Sequence, residues 1–216
     1  MRSKIRGAWV CRMVAHKPSN RAFLSHGGEG MKVLHEADKA LYFQRSYIAA
    51  DGLWFMKIEE KRGFDEALET DCAVWRVMPK IQARFLKSLT RMEQGINEGS
   101  PDFAEQNSGC LALHECLTTK LDLEGFRFET QWEGDRAFIL SIGWCPWYDA
   151  LVKAGRTHIA AKIGKCICTA EYSVWAREFG ETIMFEMLDY LCAGSRCCMM
   201  KFREEGASPR LTGDSV

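Results

Sequence analysis

Residues 126–144 read Phe126-Arg127-Phe128-Glu129-Thr130-Gln131-Trp132-Glu133-Gly134-Asp135-Arg136-Ala137-Phe138-Ile139-Leu140-Ser141-Ile142-Gly143-Trp144, and their pattern decides the fold. Phe126, Phe128, Thr130 and Trp132 alternate with Arg127, Glu129 and Gln131, the period of two that a half-buried strand requires. After Glu133-Gly134-Asp135 a second run puts Phe138, Leu140, Ile142 and Trp144 on one side. The stretch therefore predicts a β-hairpin.

Upstream of the hairpin the hydrophobic period is helical. Between residues 35 and 61, Tyr47, Ala50, Trp54, Phe55 and Ile58 form one stripe, which Gly63 can end. Phe64, Leu68 and Trp75 stripe a second helix up to Pro79, which kinks it or opens a new one; Ile81, Phe85, Leu89 and Met92 continue the apolar side. Residues 95–101 read as a loop and 103–121 as a further helix with Leu111, Cys116 and Leu117 turned inward. Downstream, residues 157–179 return to helical spacing and 182–190 read as a strand. Ala193-Gly194-Ser195 reads as a turn, and residues 198–202 as a last strand. Helices followed by a mixed antiparallel half make an α+β fold: N-terminal helices, then an antiparallel sheet of hairpins with a packed C-terminal helix. Residues 1–30 carry six Lys or Arg against one Glu and no sustained period, and are expected to be a disordered basic extension. Residues 31–203 are expected to be a single α+β domain and 204–216 a frayed tail.

The 216 residues balance 29 Lys and Arg against 29 Asp and Glu, so no overall field attracts phosphate backbones or anionic lipids. No run of 18 apolar residues can cross a bilayer, and Arg12 interrupts the apolar stretch 8–15 that a secretory signal would need. The expected setting is cytoplasmic and the expected partner a small-molecule ligand or substrate, with no nucleic acid and no membrane; a homodimer stays open. Ten cysteines in a reducing compartment point to buried thiols, metal ligands or redox thiols rather than to a disulfide framework.

Six of those ten lie between Cys145 and Cys198, a quarter of the chain. Cys145 ends a strand at Trp144-Cys145-Pro146-Trp147. Cys168 shares a helix face with Glu171, Tyr172 and Trp175, and Cys192, Cys197 and Cys198 flank the glycine turn. A strand end, a helix face and a turn can converge on one soft metal, Zn²⁺ or an iron–sulfur cluster, but no C-x-x-C knuckle is present. On spacing alone, metal ligation, inert buried thiols and a redox pair all remain open. Glu171 is a candidate general base if burial beside Tyr172 and Trp175 raises its pKa. Arg156 is a candidate clamp for a substrate carboxylate, and His158 a candidate proton donor, each with a plain surface role as the alternative. Glu59-Glu60-Lys61-Arg62 reads as a solvated face, and His114-Glu115 lacks the second histidine of a zincin motif.

Residues 42–61 (YFQRSYIAADGLWFMKIEEK), 74–89 (VWRVMPKIQARFLKSL), 116–128 (CLTTKLDLEGFRF), the CPW of 145–147, 168–175 (CTAEYSVW) and the glycine-turn cysteines resemble an uncharacterised prokaryotic family related to the L-2-amino-thiazoline-4-carboxylic acid hydrolases. More distantly, Gly194 to Cys198 is similar to the ending of 4-vinyl reductase type small-molecule-binding domains. The resemblance implies that Cys145, Cys168, Cys192 and Cys198 are the matching cysteines and hold a metal, zinc or alternatively an iron–sulfur cluster, with Glu171 as an alternative ligand. It also implies two functions to weigh. One is hydrolysis of a C–N or C–S bond in a small cyclic amidine; the other is a non-catalytic small-molecule-binding sensor module with a structural metal.

Overall fold

A computed structural model describes residues 34–94 and 109–205, so the expected basic extension, the loop at 95–101 and the tail after Glu205 lie outside the described residues. Four helices come first: α1 (Glu36–Arg62), α2 (Phe64–Val74), α3 (Met78–Gln94) and α4 (Gly109–Leu123). Strands β1 (Arg127–Trp132) and β2 (Ala137–Trp144) follow, then helices α5 (Pro146–Lys153) and α6 (Thr157–Phe179), then strands β3 (Ile183–Asp189) and β4 (Cys198–Glu204). The fold is α+β, with N-terminal helices, a central antiparallel sheet and further helices toward the C-terminus. Among the described residues no helix is long and apolar enough to cross a membrane.

The local reasons are plain in several places. Glu36 and Asp38 sit in the first turn of α1 and Lys61 and Arg62 in its last, each sign at the end of the helix dipole that favours it. Gly63, at φ 94°, takes the backbone from α1 into α2 through a conformation that other residues resist. Pro79 lies in the first turn of α3, where its missing N–H costs nothing, so it opens a helix rather than bending one. Pro146 does the same for α5, and Cys145 caps that helix: its Sγ accepts from the Tyr148 amide at 3.5 Å.

The sheet runs in the order β1-β2-β4-β3, all pairs antiparallel. Phe138 stands opposite Phe202, Leu140 opposite Met200, and Ile142 opposite Cys198. These residues form one buried face, over which α4 lays Leu113, Leu117 and Leu121 and α6 lays Trp175 and Phe179. Phe138 and Phe202 stack at 4.9 Å between ring centres. Ile139, Ser141 and Lys201 are half-buried on the opposite face and Arg203 is exposed, so only one side of the sheet is sealed by helices.

The helix stripe expected through Ile81, Phe85 and Leu89 faces outward instead: Ile81 is 59% and Phe85 61% exposed. The inward side of α3 is Ala83 and Leu86. Ala83 and Leu86 join the core cluster that α4, α6 and the sheet share, and beside them Lys80, Arg84 and Lys87 all reach Glu178 near the end of α6, Arg84 by an Nε to Oε2 contact of 2.9 Å and Lys87 through the Glu178 carbonyl. Trp54, expected on the inner stripe of α1, is 72% exposed, while Phe55 beside it is buried. A disulfide joins Cys72 in α2 to Cys166 in α6, with Cα atoms 6.3 Å apart, so two of the ten cysteines, expected as thiols, form a cross-link instead.

Candidate functional site

Helix α6 carries Ala160, Gly164 and Cys168 at four-residue spacing on one face, with Glu171 continuing it. Small residues along that face leave a gap, and a cavity of about 120 Å³ fills it. Its walls come from α1, α2, α5, α6 and the turn before β4. An engineered apolar cavity of roughly 150 Å³ holds a benzene molecule, so this one is of small-ring size. Gly164 is buried because Cys192 presses on it; a Cβ there would stand 2.4 Å from Cys192 Sγ.

Two carboxylates and an indole define the polar end. Asp51 lies on α1 one turn from Tyr47 and one from Phe55, and Asp71 lies on α2 one turn before Trp75. All but Tyr47 line the cavity. Burial pushes Asp51 up to about 6; a hydrogen bond from Trp75 opposes the rise, and the charge on Glu124 adds to it. Burial pushes Asp71 up to about 7, with repulsion from Asp51 adding and Trp75 again opposing. Trp147 meets Trp75 edge-on at 5.7 Å and Tyr47 edge-on at 5.7 Å, making an aromatic corner. The Tyr47 hydroxyl is buried without a protein hydrogen-bond partner, and burial raises its pKa.

Behind this end lies a buried ionic triad. Lys120 on α4, 3% exposed, pairs with Glu171 and, at 3.0 Å, with Glu124. Burial would lower the lysine pKa, but the two carboxylates outweigh it and the pKa is raised, so the ammonium stays charged. Glu171, 6% exposed, has its own pKa raised by burial, with Lys120 opposing. Gln82 ties Glu124 to α3 by a 3.1 Å hydrogen bond.

The residues singled out in the sequence fare differently. Glu171, Arg156, Cys145, Cys168, Cys192 and Cys198 all line the one cavity. Arg156 is spent there on Glu59: its Nη2 donates to both carboxylate oxygens at 2.6 and 2.7 Å. Glu59 is thus half of an ion pair, not part of a solvated run. His158 is exposed in the first turn of α6 and does not line the cavity. Glu171 is held by Lys120 through Oε1 rather than standing free as a base.

The expected zinc or iron–sulfur centre is corrected. Among the described residues no group of three or more His, Cys, Asp or Glu is placed to hold a metal ion. Cys145, Cys168, Cys192 and Cys198 share a cavity but not a coordination sphere, and three of the four sulfurs have local work. Cys145 caps α5, Cys198 Sγ accepts from the Leu191 amide at 3.2 Å, and Cys192 packs on Gly164. Burial raises all four thiol pKa values, Cys145 up to about 12 and Cys192 up to about 11, so the four thiols are protonated in this arrangement.

Asp51, Asp71 and Lys120 are the residues that sequence reasoning passed over. The signal was there: each is a charged residue on the apolar side of its helix, Asp51 between Tyr47 and Phe55, Asp71 between Leu68 and Trp75, Lys120 between Leu117 and Leu121.

Compared with known proteins, residues 35–196 match the model of a family of unknown function (DUF6125). No curated protein and no solved structure matches the chain. The matched span takes in Asp51, Asp71, Lys120 and Glu171 and stops short of Cys198. Because it covers most of the chain, from the start of α1 to the turn before β4, the protein belongs to this family of unknown function.

Proposed function

We propose that the cavity is the site of a hydrolase that opens a small cyclic amidine by acid–base catalysis, with Asp51 and Asp71 as the working pair. The observation that carries this reading is two carboxylates from neighbouring helices lining one cavity, both raised by burial toward neutrality, with the charge on Asp51 further opposing ionisation of Asp71. Where ionisation of one carboxylate opposes ionisation of its neighbour, the pair supplies one proton acceptor and one proton donor at the same pH. Asp51, ionised first, takes a proton from a water molecule as its oxygen attacks the amidine carbon. Asp71, still protonated, gives its proton to the ring sulfur or nitrogen as the bond to that carbon breaks. The carbon ends as a carbamoyl group and the leaving atom as a thiol or amine, with the proton on Asp51 returned to solvent or to Asp71. The Trp75 indole N–H, beside both aspartates, favours their ionised forms. The resemblance to L-2-amino-thiazoline-4-carboxylic acid hydrolases supplies the substrate class; the residues supply the chemistry, without a metal.

The test is turnover of 2-aminothiazoline and of its 4-carboxylate, followed by the appearance of free thiol. Turnover is expected, with a bell-shaped pH profile centred between 6 and 7. Asp71→Asn should cut kcat by roughly 10²-fold or more, the size of a lost general acid. The aromatic corner of Tyr47, Trp147 and Trp75 equally suits a non-catalytic module that holds a flat metabolite. Tight binding with no thiol released from either compound would decide for that second reading.

A further inference from the structure

The cavity's charges do not cancel. Its lining holds three carboxylates, Asp51, Asp71 and Glu171, and one cation, Arg156. Arg156 is already paired with Glu59, and Lys120 behind the wall is shared between Glu171 and Glu124. Around the cavity, two cations thus face five carboxylates, and among the described residues Asp51 and Asp71 form no ion pair at all. Nothing in the lining is left to receive a carboxylate. Beside the unpaired aspartates stand the indole faces of Trp75 and Trp147, surfaces that attract cations as well as flat apolar bodies. The buried Tyr47 hydroxyl, without a partner, borders the same charges.

From this arrangement we infer that the site selects a small planar organic cation bearing no carboxylate, an amidinium or similar nitrogen cation whose N–H groups bridge Asp51 and Asp71 while its ring lies against Trp75 and Trp147. The inference rests on the reading of the cavity as a ligand site and narrows it. It favours the uncarboxylated amidine over the carboxylated one, since Arg156 cannot leave Glu59 without exposing a half-buried carboxylate. Bound between the aspartates, a cation gives the ionised Asp51 a counter-charge and donates a further N–H to the carbonyl oxygen of the protonated Asp71.

The test compares three isosteric probes on the full chain by calorimetry and tryptophan fluorescence: benzamidinium, the neutral benzamide and the anionic benzoate. Benzamidinium is expected to bind at least ten times more tightly than benzamide, and benzoate not measurably. In the double variant Asp51→Asn, Asp71→Asn the preference should fall to within about threefold of parity while benzamide binding is retained, with circular dichroism confirming the fold. Benzoate binding as well as benzamidinium, no binding of any probe, or a cation preference that survives the double variant would each overturn the inference. None of these readouts depends on turnover. A charge preference without thiol release from the thiazolines would leave the cation site standing and remove only the hydrolase reading.

Discussion

Asp71 sits on the buried side of α2 between Leu68 and Trp75, where an apolar residue would cost the fold less. A carboxylate whose pKa has risen to about 7 is ionised above neutrality at the expense of the folded state. Asp71→Asn keeps the shape and still offers an oxygen to the Trp75 indole, so it should raise the unfolding free energy at pH 8 by about 1–3 kcal/mol. Urea titration of the two proteins at pH 8 measures this directly. Stability gained where activity is lost is the mark of a group kept for function. Lys120 presents the opposite case. With Glu124 and Glu171 it forms a closed buried set, and Lys120→Met, which strands two buried carboxylates, should cost about 3–5 kcal/mol at neutral pH. That loss should shrink in acid, where the two glutamates can protonate.

Among the elements, α3 gives the sharpest contrast between period and burial. Phe85→Lys, on its outward side, should change stability by less than ~0.5 kcal/mol, whereas Leu86→Ala, one residue along, should cost about 2–4 kcal/mol; chemical denaturation of each single variant distinguishes the two sides. Amphipathic spacing located this helix, but both of its faces carry apolar side chains, so only packing of Ala83 and Leu86 against the shared core settles which face turns in. The hairpin at 126–144 was legible because a period of two admits one alternative, a slip that would expose Phe138 and Leu140 together. The span of α6 was legible for a similar reason, bounded by the Gly155-Arg156 turn before it and Gly180 after it. Helix α5 was not: Pro146 reads equally as the end of a strand and as the first turn of a helix, and eight residues carry too little pattern to choose. In the site, the cysteines drew attention by their number, and they do line the cavity. The aspartates, spread over two helices and 20 residues apart, meet only once α1 and α2 fold back around Gly63. The cross-link from Cys72 to Cys166, 94 residues apart in sequence, was equally invisible. Closing so long a loop restricts the unfolded chain, and Cys72→Ser should lower stability by about 2–5 kcal/mol more under oxidising conditions than in a dithiol reductant, where only the cost of a buried hydroxyl, about 1–3 kcal/mol, remains.

For the whole molecule, the raised carboxylates set a direction of pH dependence. Asp51 and Asp71 bind protons more tightly folded than unfolded, so their contribution is fully present near pH 4 and is lost as pH rises through about 6 and about 7. His114, whose pKa burial lowers, works the other way below about 6.5. The contribution of the two aspartates to the melting temperature should therefore fall between about pH 4 and pH 7 and level off above it, and the double variant Asp51→Asn, Asp71→Asn should flatten that fall. The order of strands in the sheet bears on something else, the sequence of events during synthesis. Strand β4 comes after every other described element, yet it lies between β2 and β3 and is their only shared neighbour. It also brings Cys198, and the turn before it brings Leu191 and Cys192, to the cavity wall. On the ribosome, then, β2 and β3 must wait with open edges until β4 leaves the exit tunnel, exposed for that interval to chaperones and to neighbouring nascent chains. A polypeptide stalled before Cys198 would hold both aspartates and every described helix but no finished pocket, so neither binding nor chemistry could begin until translation had passed that strand.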